Sequence, residues 1–117
     1  MRMIQSGLVA AMVAAGALTV GAAAARADEA KIKRGMEVYA EQKCSLCHSI
    51  ADKGNKKGPL DGVGSKLSEA DIKEWIVNPK GMTEKTKATR KPPMKAYPNL
   101  PAADLEALVE YLDSLKK

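Results

Sequence analysis

Apolar positions along this 117-residue chain recur at helical rather than strand spacing. A stretch from Gly7 to Ala25 carries no charge and is built mostly of Ala, Gly, Val and Leu. From Asp28 to Lys43, Ile32, Gly35, Val38 and Tyr39 fall at three- and four-residue intervals, which predicts a first helix with Asp28 as its N-cap. Glycine inside a helix costs about 1 kcal/mol relative to alanine, so Gly35 implies close approach by another helix. Ser68, with Asp71 three positions on, predicts the start of a second helix whose buried face is Ile72, Trp75 and Ile76 and which Pro79 stops. A third helix is predicted over Pro101 to Leu115, with the stripe Leu105, Leu108, Val109, Leu112 and Leu115. Residues 49–67 read as a glycine- and lysine-rich loop, and Lys80 to Pro98 as an irregular segment dense in Lys and Pro. No segment alternates with period two and no repeat is present, so the fold class is all-α with long irregular connections.

The N-terminal pattern changes the domain reading. Arg2 precedes the uncharged stretch, and Ala25-Arg26-Ala27 places small residues at the −3 and −1 positions of a cleavage site. That is the pattern of a secretory signal peptide over residues 1–27, leaving a domain over 28–117 and an exported, periplasmic location. An uncleaved membrane anchor is the competing reading, but the abundance of Ala and Gly weakens its hydrophobic drive. The remaining 90 residues contain no Phe, one Trp and three Tyr. So few large apolar side chains imply that something other than the polypeptide supplies part of the core.

The candidate is in Cys44-Ser45-Leu46-Cys47-His48. The chain has two cysteines and one histidine, and all three are in these five residues. Each thiol can add across one vinyl group of a haem, and the histidine that follows can ligate the iron. A thioredoxin-like pair needs a βαβ context that is missing here, and zinc needs four ligands where this cluster offers three. The glycines of 49–67 match neither a phosphate-binding loop nor a dinucleotide fingerprint; they suit a backbone wrapped closely around a flat cofactor.

An iron held by His48 has an opposite face, and the methionines compete for it. Met36 is too near the attachment motif in sequence to reach that face readily. Met94 stands among Pro92, Pro93 and Pro98, whose restricted backbones reduce the entropy lost in holding a weak thioether ligand. Met82 is its main rival. His48 and Met94 together would raise the reduction potential and close the iron to oxygen and peroxide.

Taken in order, these residues resemble the class I monohaem cytochromes c, in particular short bacterial members. The likeness runs over nearly all of 28–117. It is carried by Gly35 and Tyr39, by Cys44 to His48, by Gly58-Pro59-Leu60, by Trp75-Ile76 with Asn78-Pro79, by Met94 to Pro98, and by Leu108 to Leu112. The resemblance implies the cytochrome c fold, about three main helices around one haem c bound covalently through Cys44 and Cys47. It implies that the Pro59 carbonyl accepts a hydrogen bond from His48, that Leu60 packs on the haem face and that Trp75 lies near a haem propionate. It also implies that Gly35 lets the first helix cross the last near Leu108 and Tyr111. Lys95 departs from the family pattern, which commonly has proline after the ligand methionine.

Charge bears on partners. Losing Arg2 and Arg26 with the leader lowers the formal charge from +5 to +3. Lys53, Lys56 and Lys57 cluster after the attachment motif, and Lys85, Lys87, Arg90, Lys91 and Lys95 surround Met94. Such a ring would steer redox proteins with acidic docking surfaces. Nucleic acid is not expected as a partner, since basic residues are not interleaved with aromatic ones. The expectation is a monomeric, periplasmic electron carrier and not an enzyme, with no stable membrane insertion once the leader is removed. The alternatives are a haem peroxidase or gas sensor with a displaceable Met94, and an electron-transfer subunit of a periplasmic dehydrogenase.

Overall fold

The computed structural model describes residues 8–117, and side chains from residue 23. Arg2, the basic start of the predicted leader, lies outside the described residues. Contacts divide the chain into residues up to Ala30 and Lys31–Lys117. Among the described residues, no helix is long and apolar enough to cross a membrane.

Helix α1 spans Leu8–Glu41, so Asp28 is an interior residue and not an N-cap. The correction has a local cause: Ala22 to Ala25, Ala27 and Ala30 are the strongest helix formers available, and neither Gly nor Pro separates them from the Ile32–Tyr39 face. The helix terminates where Lys43 turns left-handed at φ 57°.

Residues 49–67, read from sequence as loop, contain more structure than that. Strands β1 (Ser49–Ile50) and β2 (Lys53–Gly54) form a minimal antiparallel hairpin, pairing Ser49 with Gly54 and Ile50 with Lys53. Its two linking residues, Ala51 and Asp52, both have positive φ, as a two-residue primed turn requires. The Asp61 carboxylate accepts from the Ala51 backbone N–H at 2.8 Å and fastens that turn. A single-turn helix α2 follows at Val63–Lys66.

Helix α3 runs Glu69–Val77, and the Ser68 hydroxyl accepts from the Asp71 N–H at 3.1 Å, the cap the sequence predicts. Pro79 ends this helix but also begins another, α4 (Pro79–Thr86), in place of the predicted irregular segment. Asn78 caps it, its side chain accepting from the Gly81 N–H at 3.3 Å. Proline is well suited to the first position of a helix, where its missing N–H would go unpaired anyway. Helix α5 spans Ala102–Asp113, in the predicted place.

Val38 of α1, Ile72 and Ile76 of α3, and Leu108, Val109 and Leu112 of α5 form one buried cluster. Leu105 and Leu115 of the predicted stripe pack against it, partly buried. Each fully buried aliphatic side chain contributes about 1.5–3 kcal/mol. Gly35 sits where α1 meets α5: a Cβ there would overlap the Ala107 carbonyl and the Tyr111 Cβ. The close crossing is therefore as expected near Leu108 and Tyr111, with the adjacent Ala107 supplying the nearest backbone atoms. Tyr39 and Tyr111 meet edge to face at 6.0 Å. At the same junction the Arg34 guanidinium donates two parallel hydrogen bonds to the Asp104 carboxylate, both 3.0 Å. Asp104, in the first turn of α5, is thus part of a forked bridge to α1.

Candidate functional site

Left-handed Lys43 aims the chain out of α1 and into one 3₁₀ turn, Cys44–Leu46. The Cys44 carbonyl accepts from the backbone N–H groups of Cys47 (3.1 Å) and His48 (3.0 Å). Cys44 opens this turn and Cys47 caps it, so a single turn carries both thiols. The two cysteines are not joined to each other by a disulfide. Cys47 is exposed, whereas burial pushes the Cys44 thiol up to about 11.

His48 is fixed through Nδ1, which is 3.0 Å from the Gly58 carbonyl. The acceptor is Gly58 and not Pro59, a correction to the expectation from sequence. Residues 58–60 run extended beside Ser49: the Gly58 carbonyl accepts from Ser49 N–H at 3.1 Å, and Leu60 N–H donates to the Ser49 carbonyl at 2.8 Å. Successive carbonyls of an extended segment point to opposite sides, so the neighbouring Pro59 carbonyl is turned away from the ring. Burial lowers the His48 pKa; the Gly58 bond acts against that, and the positive charge of Arg90 adds to it. A neutral ring donating from Nδ1 leaves Nε2 with a free lone pair, the form a metal requires.

Two attachments secure the loop that carries Met94. Upstream, Arg90 Nη2 donates to the Cys47 carbonyl at 2.7 Å. Downstream, Tyr97 N–H donates to the Ile76 carbonyl at 2.8 Å, and its hydroxyl donates to the Gln42 carbonyl at 3.4 Å. Both ends of the Met94 loop therefore reach the immediate neighbourhood of the cysteine turn. Met94 is half-buried, Met82 is buried on α4 and Met36 is 52% exposed on α1. Leu60 packs against the main core, and Trp75 is half-buried on α3.

The donor set fits a covalently bound haem: two thiols carried by one turn, followed by an imidazole whose free nitrogen is defined by its other hydrogen bond. The sequence did not single out Gly58 as the acceptor or Arg90 as a tether. Register decides the first, and the second was visible only as one member of a basic cluster.

Comparison with known proteins agrees with this arrangement. The cytochrome c family model matches residues 32–116, from the α1 face bearing Gly35 to the end of the chain's last buried stripe. The chain belongs to the cytochrome c family. Membership carries with it covalent haem c and haem-based electron transfer, and the two cysteines have the spacing this requires. This cytochrome is also 29% identical, over 97 aligned residues, to cytochrome c oxidase subunit 2 of Alkalihalophilus pseudofirmus. That alignment covers 75% of this chain but 27% of the relative, so the chain spans about a quarter of the relative's length. No solved structure matches it.

Proposed function

We propose that this cytochrome is a periplasmic one-electron carrier, with one haem joined through Cys44 and Cys47 and ligated by His48 and Met94. The observation that carries the reading is the single turn bearing both thiols, followed by a histidine whose Nδ1 is already committed to Gly58. When bound, haem supplies the ferrous–ferric couple. The chain's own residues do the rest. Gly58 keeps the imidazole in one tautomer and one orientation. Pro92 and Pro93, together with the anchors at Arg90 and Tyr97, limit the freedom of Met94. Met94 is preferred over Met82 because the latter is already buried on a helix whose Thr86 hydroxyl bonds the Met82 carbonyl at 2.8 Å.

A carrier whose ligands are both protein side chains rearranges little when its charge changes, and no substrate is bound or transformed. Lys53, Lys56, Lys57, Lys85, Lys87, Arg90, Lys91 and Lys95 are all exposed and would meet acidic redox partners. Export through a leader over residues 1–27 is supported by the contact boundary after Ala30 and by a family match that begins at Ile32. The likeness to an oxidase subunit favours a place in a respiratory electron chain, either as a free monomer or as a subunit. The deciding experiment is expression in a host that attaches haem, with spectra of both redox states for wild type and Met94→Ala. The variant should retain its haem and lose the weak near-red thioether-to-ferric band, with a lower potential. Survival of that band would assign the sixth ligand elsewhere.

A further inference from the structure

We propose that Arg90 is a positioning residue that clasps the Met94 loop to the His48 side of the attachment turn, so that one guanidinium links the segments carrying both axial ligands. The inference rests on the His48/Met94 reading above. Arg90 Nη2 donates to the Cys47 carbonyl at 2.7 Å, the residue immediately before His48. The same guanidinium lies against Gly58, where a Cβ would overlap Arg90 Nη1 and Cζ and the Cys47 carbonyl oxygen. Gly58 is the residue whose carbonyl holds His48 Nδ1 at 3.0 Å. The Cys47 carbonyl, the Gly58 backbone and the Arg90 fork therefore meet beside the residues that precede and hold the histidine.

Arginine suits this place for a physical reason. Its planar fork can lie against Gly58 while one terminal nitrogen donates to Cys47; the ammonium of lysine, a point charge on a flexible stem, cannot do both. Six residues, Lys91–Ala96, separate this clasp from the second anchor at Tyr97, and Pro92 and Pro93 reduce their freedom further. A loop held at both ends over so short a span has few ways to carry Met94 off its position. With Arg90 removed, the loop keeps its Tyr97 bonds and becomes free at its upstream end. Arg90 is solvent-exposed, so the clasp is of ordinary strength, and losing it multiplies the open-loop population about three- to tenfold.

Carbon monoxide binds ferrous iron only when the thioether has left, so its rate of binding to the reduced holoprotein reports that population. Wild type, Arg90→Ala, Arg90→Lys and the charge control Lys80→Gln would be compared by stopped flow, with far-ultraviolet circular dichroism as the folding check. Arg90→Ala should bind carbon monoxide about three- to tenfold faster, Arg90→Lys should fall between it and wild type, and Lys80→Gln should match wild type. Should Arg90→Ala fail to fold, Arg90→Lys decides alone: faster than wild type supports the clasp, and an equal rate overturns it. Equal rates in all variants, with the near-red band intact in wild type, overturn the clasp and leave the ligand reading standing. A wild-type protein lacking that band overturns both.

Discussion

Replacing Gly35 with alanine tests whether the α1–α5 crossing is as close as described. The added Cβ would overlap the Ala107 carbonyl carbon and oxygen and the Cβ of Tyr111. Two of these are backbone atoms and the third is the root of a side chain, so no flexible chain end can swing aside. Inserting a carbon into such a contact costs about 1–3 kcal/mol, and the rigidity of the neighbours puts this site at the upper end. Alanine returns about 1 kcal/mol of helix propensity, leaving a net loss of about 2 kcal/mol. The paired Arg34–Asp104 hydrogen bonds, one residue away, would lengthen with the same separation. For a domain of this size 1 kcal/mol moves the midpoint by about 4–8 °C, so Tm should fall by about 8–16 °C. Thermal and guanidinium unfolding of the purified holoprotein, followed by far-ultraviolet circular dichroism, would measure it. A midpoint that is unchanged, or raised as propensity alone requires, would refute the close crossing.

Burial raises the pKa of Tyr39 from 10.0 to about 12, with smaller contributions from the nearby Cys44, Tyr111 and Asp61. The raised value favours the neutral phenol in the fold, so stability is full below pH 10 and is lost as pH climbs towards 12. Among the described residues the Tyr39 hydroxyl finds no hydrogen-bond partner, so Tyr39→Phe should be at least as stable as wild type at pH 7 and lose less between pH 10 and 12 in parallel denaturation curves. Cys44→Ala/Cys47→Ala, which cannot bind haem covalently, should lack a cooperative unfolding transition, since the described core rests on few large side chains; a native-like spectrum would count against that. If the exposed lysines guide docking, the second-order rate with an acidic redox partner should fall steeply with ionic strength, and a flat salt dependence would remove the idea.

What could be read from the residues alone follows from the range of the interactions involved. The attachment motif is chemistry confined to five consecutive positions, and the Ser68 cap and the α5 stripe are decided within one or two helical turns, so all were legible. Asn78-Pro79 was equally local but carries two meanings, because proline both stops one helix and starts the next. The two-residue strands of the hairpin are too short to show alternation, and only the contact between Asp61 and Ala51 reveals the turn they enclose. The choice of Gly58 over Pro59 as partner to His48 depends on the register of two segments ten residues apart, and periodicity carries no information on that.

The forked bridge between Arg34 and Asp104 spans 70 positions of sequence, and Val38, the most deeply buried side chain, shares its cluster with Leu108 and Leu112. A nascent chain emerging amino-end first therefore cannot seal its centre until Leu108 and Leu112 have been delivered. Throughout that interval the thiol pair at 44 and 47 remains on an unclosed polypeptide, reachable by whatever machinery must join it to a porphyrin. Closure of this core thus requires the first and last helices together, because the partners of Val38 lie at the far end of the domain.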